Sequence, residues 1–365
     1  MTDKKRILFL ANHFITLYSF RKEMIQRLVN DGHTVLLSLP ESDENDYFKS
    51  LGCKIINTSI NRKGINPIED LNLIKQYIKI LKQEKPDIVF SFTIKPNIYG
   101  AFANRFFHIK QVCNITGTGG TFLKKNLMSE LCKILYRLSV KHSYKVFFQN
   151  TGDRDFFIRN KMVRADNYNV IPGSGCNISQ HIFSDLPSGE NINFIYIGRV
   201  MKLKGIDEYI QCAQYIRHKY PNTNFFIAGW NEEPEYMSKV KKAEEEGALT
   251  YLGFRKDIDE CIKKCHCTIL PSYGGEGVPN VLLESAANGR ICIASRINGS
   301  KDVIQENVTG YLFEPGNAKD LIEQVEKVIH LSDSQRNKMG KAGRLKIENE
   351  FNREIVIQAY LNELE

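Results

Sequence analysis

Two short segments of this 365-residue chain carry residue types suited to an anionic, hydroxyl-bearing ligand. The first is Gly198-Arg199-Val200-Met201-Lys202-Leu203-Lys204-Gly205, straight after the β-rich run NFIYI and ahead of the helical pattern IDEYIQCAQYIRHKY. Gly198 frees the backbone at a strand end. Arg199 and Lys204 flank a helix N-terminus with unpaired N–H groups, an electropositive corner suited to a diphosphate. A solvated basic turn is the competing reading. The second segment, Gly274-Gly275-Glu276-Gly277-Val278-Pro279-Asn280-Val281-Leu282-Leu283-Glu284, follows CTILPSY. Its glycines let a loop pass close to a ligand, and the helix from Asn280 points its positive end into the same space. Glu276 and Glu284, eight positions apart, can reach different hydroxyls of one sugar-bearing ligand. Glu284 lies among Val281, Leu282, Leu283, Ala286 and Ala287, where an acid needs a partner. A helix-capping Glu276 with a solvated Glu284 is the alternative.

Two other patterns lead nowhere. Thr116–Gly120 (TGTGG) does not fit G-x-G-x-x-G, and no acid follows at the right distance. Cys261, Cys265, His266 and Cys267 lack a second ligand cluster of matching spacing, so they read as small buried residues and no metal site is expected. Nine cysteines, an odd number scattered over a long chain, favour a reducing compartment over a disulfide framework.

The elements that must position these residues alternate from end to end. RILFLA, TVLLSL, CKIINT, DIVFSF, QVCNIT, KVFFQN and YNVIP read as strands in the first half, then NFIYIG, NFFIAG, LTYLGF, CTILPSY, RICIAS and GYLFEP in the second. Continuous apolar runs alternating with helical patterns predict parallel sheets covered on both faces. The fold class is therefore α/β, with two doubly wound, Rossmann-like domains facing a cleft, where ligands meet the carboxyl ends of strands. The expected boundaries are 1–175 for an N-terminal domain, 176–190 for a linker and 191–340 for a C-terminal domain. Residues 341–365 are expected to form a C-terminal helix that could pack back toward the N-terminal domain.

Charge is unevenly placed. Residues 1–180 hold 27 Lys+Arg against 15 Asp+Glu, a net of +12, and residues 181–365 hold 23 against 27, a net of −4. A basic half meets an anionic partner, or else is merely solvated. Lys133, Arg137, Lys141 and Lys145 are spaced by four and form one basic stripe if a single helix runs through them, preceded by Lys124 and Lys125. Leu127, Leu131, Ile134, Leu135 and Leu138 would include its packing face. Such a helix fits an anionic membrane surface, or else is a solvated face of the domain. Nucleic acid is not expected, because no aromatic–basic interleaving accompanies the charge. No apolar run reaches the ~18 residues of a spanning helix, and MTDKKRILFL has too short an apolar run for a signal peptide. The expectation is a cytoplasmic protein, peripheral at the inner face of the plasma membrane.

The segments G-R…K-G and E-G-x-P-x-x-x-L-E, together with FTIKPNIYGAFAN, NITGTGGTF, FFQNTGDRDFF, VIPGSG and PSYGGEGVPNVLLESAANG, resemble the retaining family 4 glycosyltransferases of GT-B fold. More narrowly, they resemble the sugar transferases that build bacterial capsule, O-antigen and related surface polysaccharides. The resemblance is strong over roughly residues 85–320 and implies a role for each matching position. Gly198, Arg199 and Lys204 would bind the diphosphate of a nucleotide sugar, and Glu284 the ribose hydroxyls. Glu276, with the N–H groups of Gly277 and Val278, would hold the transferred sugar, and Arg255 would lie near the nucleobase. Arg199, Lys204 and Glu276 would be the catalytic set. His13, Thr93 and Lys95 are the acceptor-side candidates; the chain lacks the paired glycines and the H-x-H-T-P-K segment common in the family. The implied reaction is α-retaining transfer of a hexose or N-acetylhexosamine from a UDP-sugar to a polyprenyl-diphosphate-linked saccharide, without metal or other cofactor. Competing readings are a GT-B nucleotide-sugar epimerase or hydrolase that uses no acceptor, and a non-catalytic partner of another transferase.

Overall fold

A computed structural model describes residues 3–62, 64, 66–123 and 126–365. The chain divides into two compact units, one formed by residues up to Ser174 together with Val356–Glu365, the other by Gly175–Ile355.

The first unit holds β1 (Arg6–Leu10), β2 (Thr34–Leu39), β3 (Lys54–Asn57), β4 (Ile88–Phe92), β5 (Lys110–Ile115), β6 (Lys145–Phe148) and β7 (Tyr168–Val170). They form one parallel sheet in the order β3-β2-β1-β4-β5-β6-β7. Strands β1 and β4 are buried on both faces, which is why they read as unbroken apolar runs rather than alternating ones. Alternate side chains feed two cores. Ile7, Phe9, Phe90 and Phe92 enter one, and Leu8, Leu10 and Val89 the other. The last ten residues complete the first of these. Tyr360 is wedged against Phe90 and Phe147 at ring separations of 5.2 Å each, and its hydroxyl donates to Asn114 Oδ1. Truncating a ring so placed costs about 3–5 kcal/mol.

The second unit holds β8 (Ile192–Ile197), β9 (Thr223–Ala228), β10 (Thr250–Gly253), β11 (Cys267–Leu270), β12 (Ile291–Ser295) and β13 (Gly310–Phe313). These are also parallel, in the order β10-β9-β8-β11-β12-β13. Every apolar run read as a strand is one.

Residues 176–190 do not behave as a free linker. Arg290 donates to Ser184 Oγ at 2.7 Å and to Asp185 O at 3.0 Å, while Arg344 donates to the carbonyl of His181. The Cys176 N–H also bonds Phe351 O at 2.7 Å. The buried Arg290 and the partly buried Arg344 therefore fasten this segment to the second unit. The same unit retains the helix Asp333–Glu350, so only Val356–Glu365, and not all of 341–365, lies with the first. All nine cysteines are buried free thiols.

Candidate functional site

The strand order of the second sheet reverses between β8 and β11. Loops leaving neighbouring strands there run to opposite faces and open a crevice at the strand ends. Those two loops are the segments Gly198–Gly205 and Pro271–Pro279, so topology alone brings both chemical motifs to one place.

Several contacts fix the corner. The Lys204 ammonium pairs with Glu276 Oε1, and Ser272 Oγ donates to the same oxygen at 2.8 Å. The Tyr273 N–H bonds Leu203 O at 3.0 Å, joining the loops by backbone as well. Gly205 has φ +70°, and a Cβ there would sit 1.9 Å from Pro271 O. Only glycine permits that approach. Behind Lys204, the Tyr273 hydroxyl donates to Glu208 Oε1 at 2.6 Å. From the other side, Glu233 accepts from the Lys202 N–H at 3.0 Å. Arg199 is half-exposed with its guanidinium 3.7 Å from Glu232, and the Tyr196 hydroxyl donates to its carbonyl at 2.6 Å.

The helix Asn280–Ala287 starts at Pro279, and no side chain caps it. The Leu282 N–H bonds Pro279 O at 3.1 Å, and the N–H groups before it gain nothing from the capping residue, which leaves the positive end of the helix to a ligand. Gly277 and Val278 precede it, held from behind by Gly299, whose Cβ would lie 1.7 Å from Gly277 O. Glu284 sits one turn in. Burial pushes its carboxyl above the usual range, Asp259 adds to this, and His181 and Arg353 oppose it. Among the described residues no side chain hydrogen-bonds to that carboxylate. Asp259 itself resists the effect of its burial because His181 Nδ1 at 2.7 Å and Asn288 Nδ2 at 2.9 Å hold it ionised. Arg255 stands apart after β10, exposed and locked to Asp257 through two nitrogens, the nearer contact 2.5 Å.

In the first unit the sheet reverses between β1 and β4. His13 follows β1 as the cap of the helix Phe14–Asn30, its Nδ1 accepting from the Ile15 N–H at 3.1 Å. Accepting there requires the neutral ring with its proton on Nε2. Burial and Arg62 lower its pKa accordingly, against Glu44. Thr93 ends β4 at φ +73°, a conformation unusual for a β-branched residue, and its buried Oγ1 has no partner among the described residues. Lys95 is not free. It pairs with Asp70 at 2.7 Å, which also accepts from the Tyr99 hydroxyl at 2.7 Å, beside a cavity of about 490 Å³.

Two family models match this architecture, "Glycosyl transferases group 1" over residues 178–346 and "Glycosyl transferase 4-like" over residues 6–150. The chain belongs to the GT-B glycosyltransferases. This transferase is 27% identical to the N,N'-diacetylbacillosaminyl-diphospho-undecaprenol alpha-1,3-N-acetylgalactosaminyltransferase of Campylobacter jejuni, over 98% of this chain and 97% of that one. It is also 27% identical to the UDP-Gal:alpha-D-GlcNAc-diphosphoundecaprenol alpha-1,3-galactosyltransferase of Escherichia coli, over 80% of this chain and 78% of that one. Two solved structures share the fold. A Rickettsia africae glycosyltransferase has a TM-score of 0.83 at 19% identity, covering 99% of this chain and 98% of its own. Anabaena HepE, in complex with UDP and glucose, has 0.80 at 17% identity and covers 99% of each.

The basic stripe expected on this glycosyltransferase is not one. The helix Leu127–Leu138 ends at Ser139, whose backbone turns away at φ −118° and ψ −77° while its N–H and hydroxyl both donate to the Leu135 carbonyl. Lys141 then lies in a 3₁₀ turn and Lys145 opens β6. Lys133 pairs with Glu130 at 2.7 Å, Arg137 donates to Asn160 O at 2.7 Å, and Lys145 pairs with Glu363 at 2.6 Å. Lys124 and Lys125 lie outside the described residues. The packing face is corrected too. Ser129, Cys132 and Tyr136 are the buried side, while Leu127, Leu131, Ile134 and Leu138 are exposed. Among the described residues no helix is long and apolar enough to cross a membrane.

Sequence reasoning also missed Glu208, Glu233 and Gly299, which brace the two loops from behind. Only Gly299 left a trace, as a glycine in the turn after a strand (ASRINGS).

Proposed function

We propose that this glycosyltransferase moves a hexose or N-acetylhexosamine from a UDP-sugar to a polyprenyl-diphosphate-linked saccharide, with retention at the anomeric carbon, during surface polysaccharide assembly. The observation that carries the reading is the Lys204–Glu276 pair, which joins the loops after β8 and β11 at the sheet's reversal, with Arg199 and Glu284 on the same two segments. In this reading the two cations and the start of the helix Asn280–Ala287 serve one ligand, and the two carboxylates take its hydroxyls. A diphosphate takes the cations and N–H groups, the ribose takes Glu284, and the sugar lies toward Glu276. The names of both relatives support an undecaprenyl-diphosphate acceptor and an alpha-1,3 product, and UDP occupies a neighbour of the same fold.

In this reading the acceptor oxygen bonds to the anomeric carbon from the side the diphosphate leaves. The carbon–oxygen bond to the diphosphate breaks, and a departing phosphate oxygen takes the acceptor proton. Arg199, Lys204 and the helix N-terminus stabilise charge that grows on that leaving group, which is where fixed charges act most strongly on rate. His13 and Thr93 are the first unit's candidates for contact with the acceptor.

A panel of UDP-sugars, scored by incorporation into an undecaprenyl-diphosphate-linked saccharide, tests this directly. One donor should be transferred in an α linkage. UDP release or epimer formation without acceptor would point instead to a hydrolase or epimerase, and inertness with every donor to a non-catalytic partner.

A further inference from the structure

The first unit turns an apolar helix side outward. Leu127 is 87% exposed, Leu131 43%, Ile134 46% and Leu138 49%, with Leu123 just before them at 42%. Their spacing of four, three and four places the four helical positions within an arc of about 60°. They therefore form a single row about 17 Å long, opposite the buried Ser129, Cys132 and Tyr136. A surface helix ordinarily buries such a row, and contiguous exposed apolar patches mark interaction sites.

The row runs into a cationic pocket. Arg105 donates to the carbonyl of Leu138, the last helical residue, and also lines a cavity of about 550 Å³ with His108, Lys110, His142 and Tyr144. None of the lining residues is acidic. Phe106, beside Arg105, is 72% exposed, and Lys110 Nζ lies 4.7 Å from the Tyr144 ring centre. An apolar row, exposed aromatics and uncompensated cations thus lie side by side on one unit.

We propose that this face, the Leu127–Leu138 row with the Arg105/Lys110 pocket, seats the enzyme on an anionic lipid surface. The row enters the acyl boundary, the aromatic rings sit at headgroup depth, and the pocket takes a lipid phosphate. Charge complementarity selects lipid as the occupant. A second copy of the chain would cover the leucines but leave acid-free cations facing nothing. The proposal deepens the reading of a lipid-linked acceptor and rests on it, since it supplies the means by which a chain with no spanning helix among its described residues dwells beside its acceptor.

The test is co-sedimentation of the full chain with phosphatidylcholine vesicles, with and without phosphatidylglycerol, scored beside UDP binding. Wild type should sediment with the anionic vesicles. Leu127→Gln/Leu131→Gln/Ile134→Gln should lower partitioning at least tenfold even at low salt. Arg105→Gln/Lys110→Gln should reduce it to the level on neutral vesicles. Both variants should keep wild-type UDP affinity and sugar transfer to a short-chain, water-soluble acceptor. Wild type that ignores anionic vesicles, or variants that sediment as wild type does, would overturn the surface. So would a dimer, seen by sedimentation velocity, that the glutamine variant abolishes without any lipid binding. Vesicle binding without sugar transfer instead overturns the transferase reading and leaves the surface standing.

Discussion

Lys204 and Glu276 form an ion pair across the loops that follow β8 and β11. Both side chains are about four-fifths buried, so neither charge is well served by water. A diphosphate drawn to Lys204 must therefore share it with Glu276 or displace it. Removing the acid without its volume, Glu276→Gln, relieves that competition. UDP should bind Glu276→Gln as tightly as wild type or several-fold more tightly, while turnover falls by ~10²-fold or more. Lys204→Met should weaken UDP at least tenfold. Calorimetry with UDP separates the two, and an equal loss in both contradicts this division of labour.

Glu284 has the opposite character, a carboxyl whose pKa burial raises and to which no side chain among the described residues hydrogen-bonds. Ribose hydroxyls supply donors for it. Glu284→Gln should weaken free UDP and the UDP-sugar alike, with a smaller effect on diphosphate alone. A variant that binds UDP normally would leave Glu284 as a packing residue.

The strands were legible because a parallel sheet buried on both faces leaves unbroken apolar runs, as RILFL and IVFSF show. That the two loops meet was legible because their glycines and charges fall at strand ends, where open sheets bind ligands. The Lys204–Glu276 pair was not, since a contact between loops 72 positions apart depends on strand order. Nor was the outward face of Leu127–Leu138. Spacing reveals which residues share a face, but not which face finds a cover. The helix end was hidden for a related reason: the chain leaves helical geometry at Ser139, a residue that helices accept or end on alike.

Gly205 sets the distance between the loops that follow β8 and β11. Alanine there adds a left-handed strain of about 1–2 kcal/mol, and its Cβ would collide with the Pro271 carbonyl. Gly205→Ala should lower the urea midpoint and weaken UDP at least tenfold, because relief of the clash moves the Gly198–Gly205 loop, and Lys204 with it, away from Pro271 and out of the corner proposed for the diphosphate. Unchanged UDP affinity in a folded variant would show that the loops tolerate the shift.

His266 gives the second unit an acid sensitivity. It is 4% exposed, and its Nδ1 accepts the Asn193 N–H at 3.1 Å, which only the neutral ring can do. Burial, with Arg336 and Arg290 adding to it, lowers its pKa to about 4. An unfolded histidine titrates near 6.5. As pH falls below 6.5 the unfolded chain takes a proton that the folded chain refuses, so stability drops until the folded value is reached. The loss at pH 5 is on the order of 2 kcal/mol. His266→Asn, which keeps an acceptor near Nδ1, should flatten the fall of the urea midpoint between pH 7 and pH 5. A variant with the wild-type slope would place the sensitivity elsewhere.

Thr93 holds two unfavourable features at once. At φ +73° and ψ 166° it occupies backbone space that suits glycine, at a cost of about 1–3 kcal/mol. Its buried hydroxyl, without a partner among the described residues, adds a further penalty of about 1–3 kcal/mol. Glycine would remove both and lose only about 0.5–1 kcal/mol in backbone entropy. Thr93→Gly should therefore raise the stability of the first unit by about 1 kcal/mol or more. Strain of this size persists where the surroundings over-determine it, and here it lies at the β1/β4 reversal beside His13. If the hydroxyl is held there to meet the acceptor, the same substitution lowers kcat/KM for the lipid-linked acceptor at least tenfold and leaves UDP affinity unchanged. A variant that is both more stable and fully active would assign Thr93 no part in acceptor recognition.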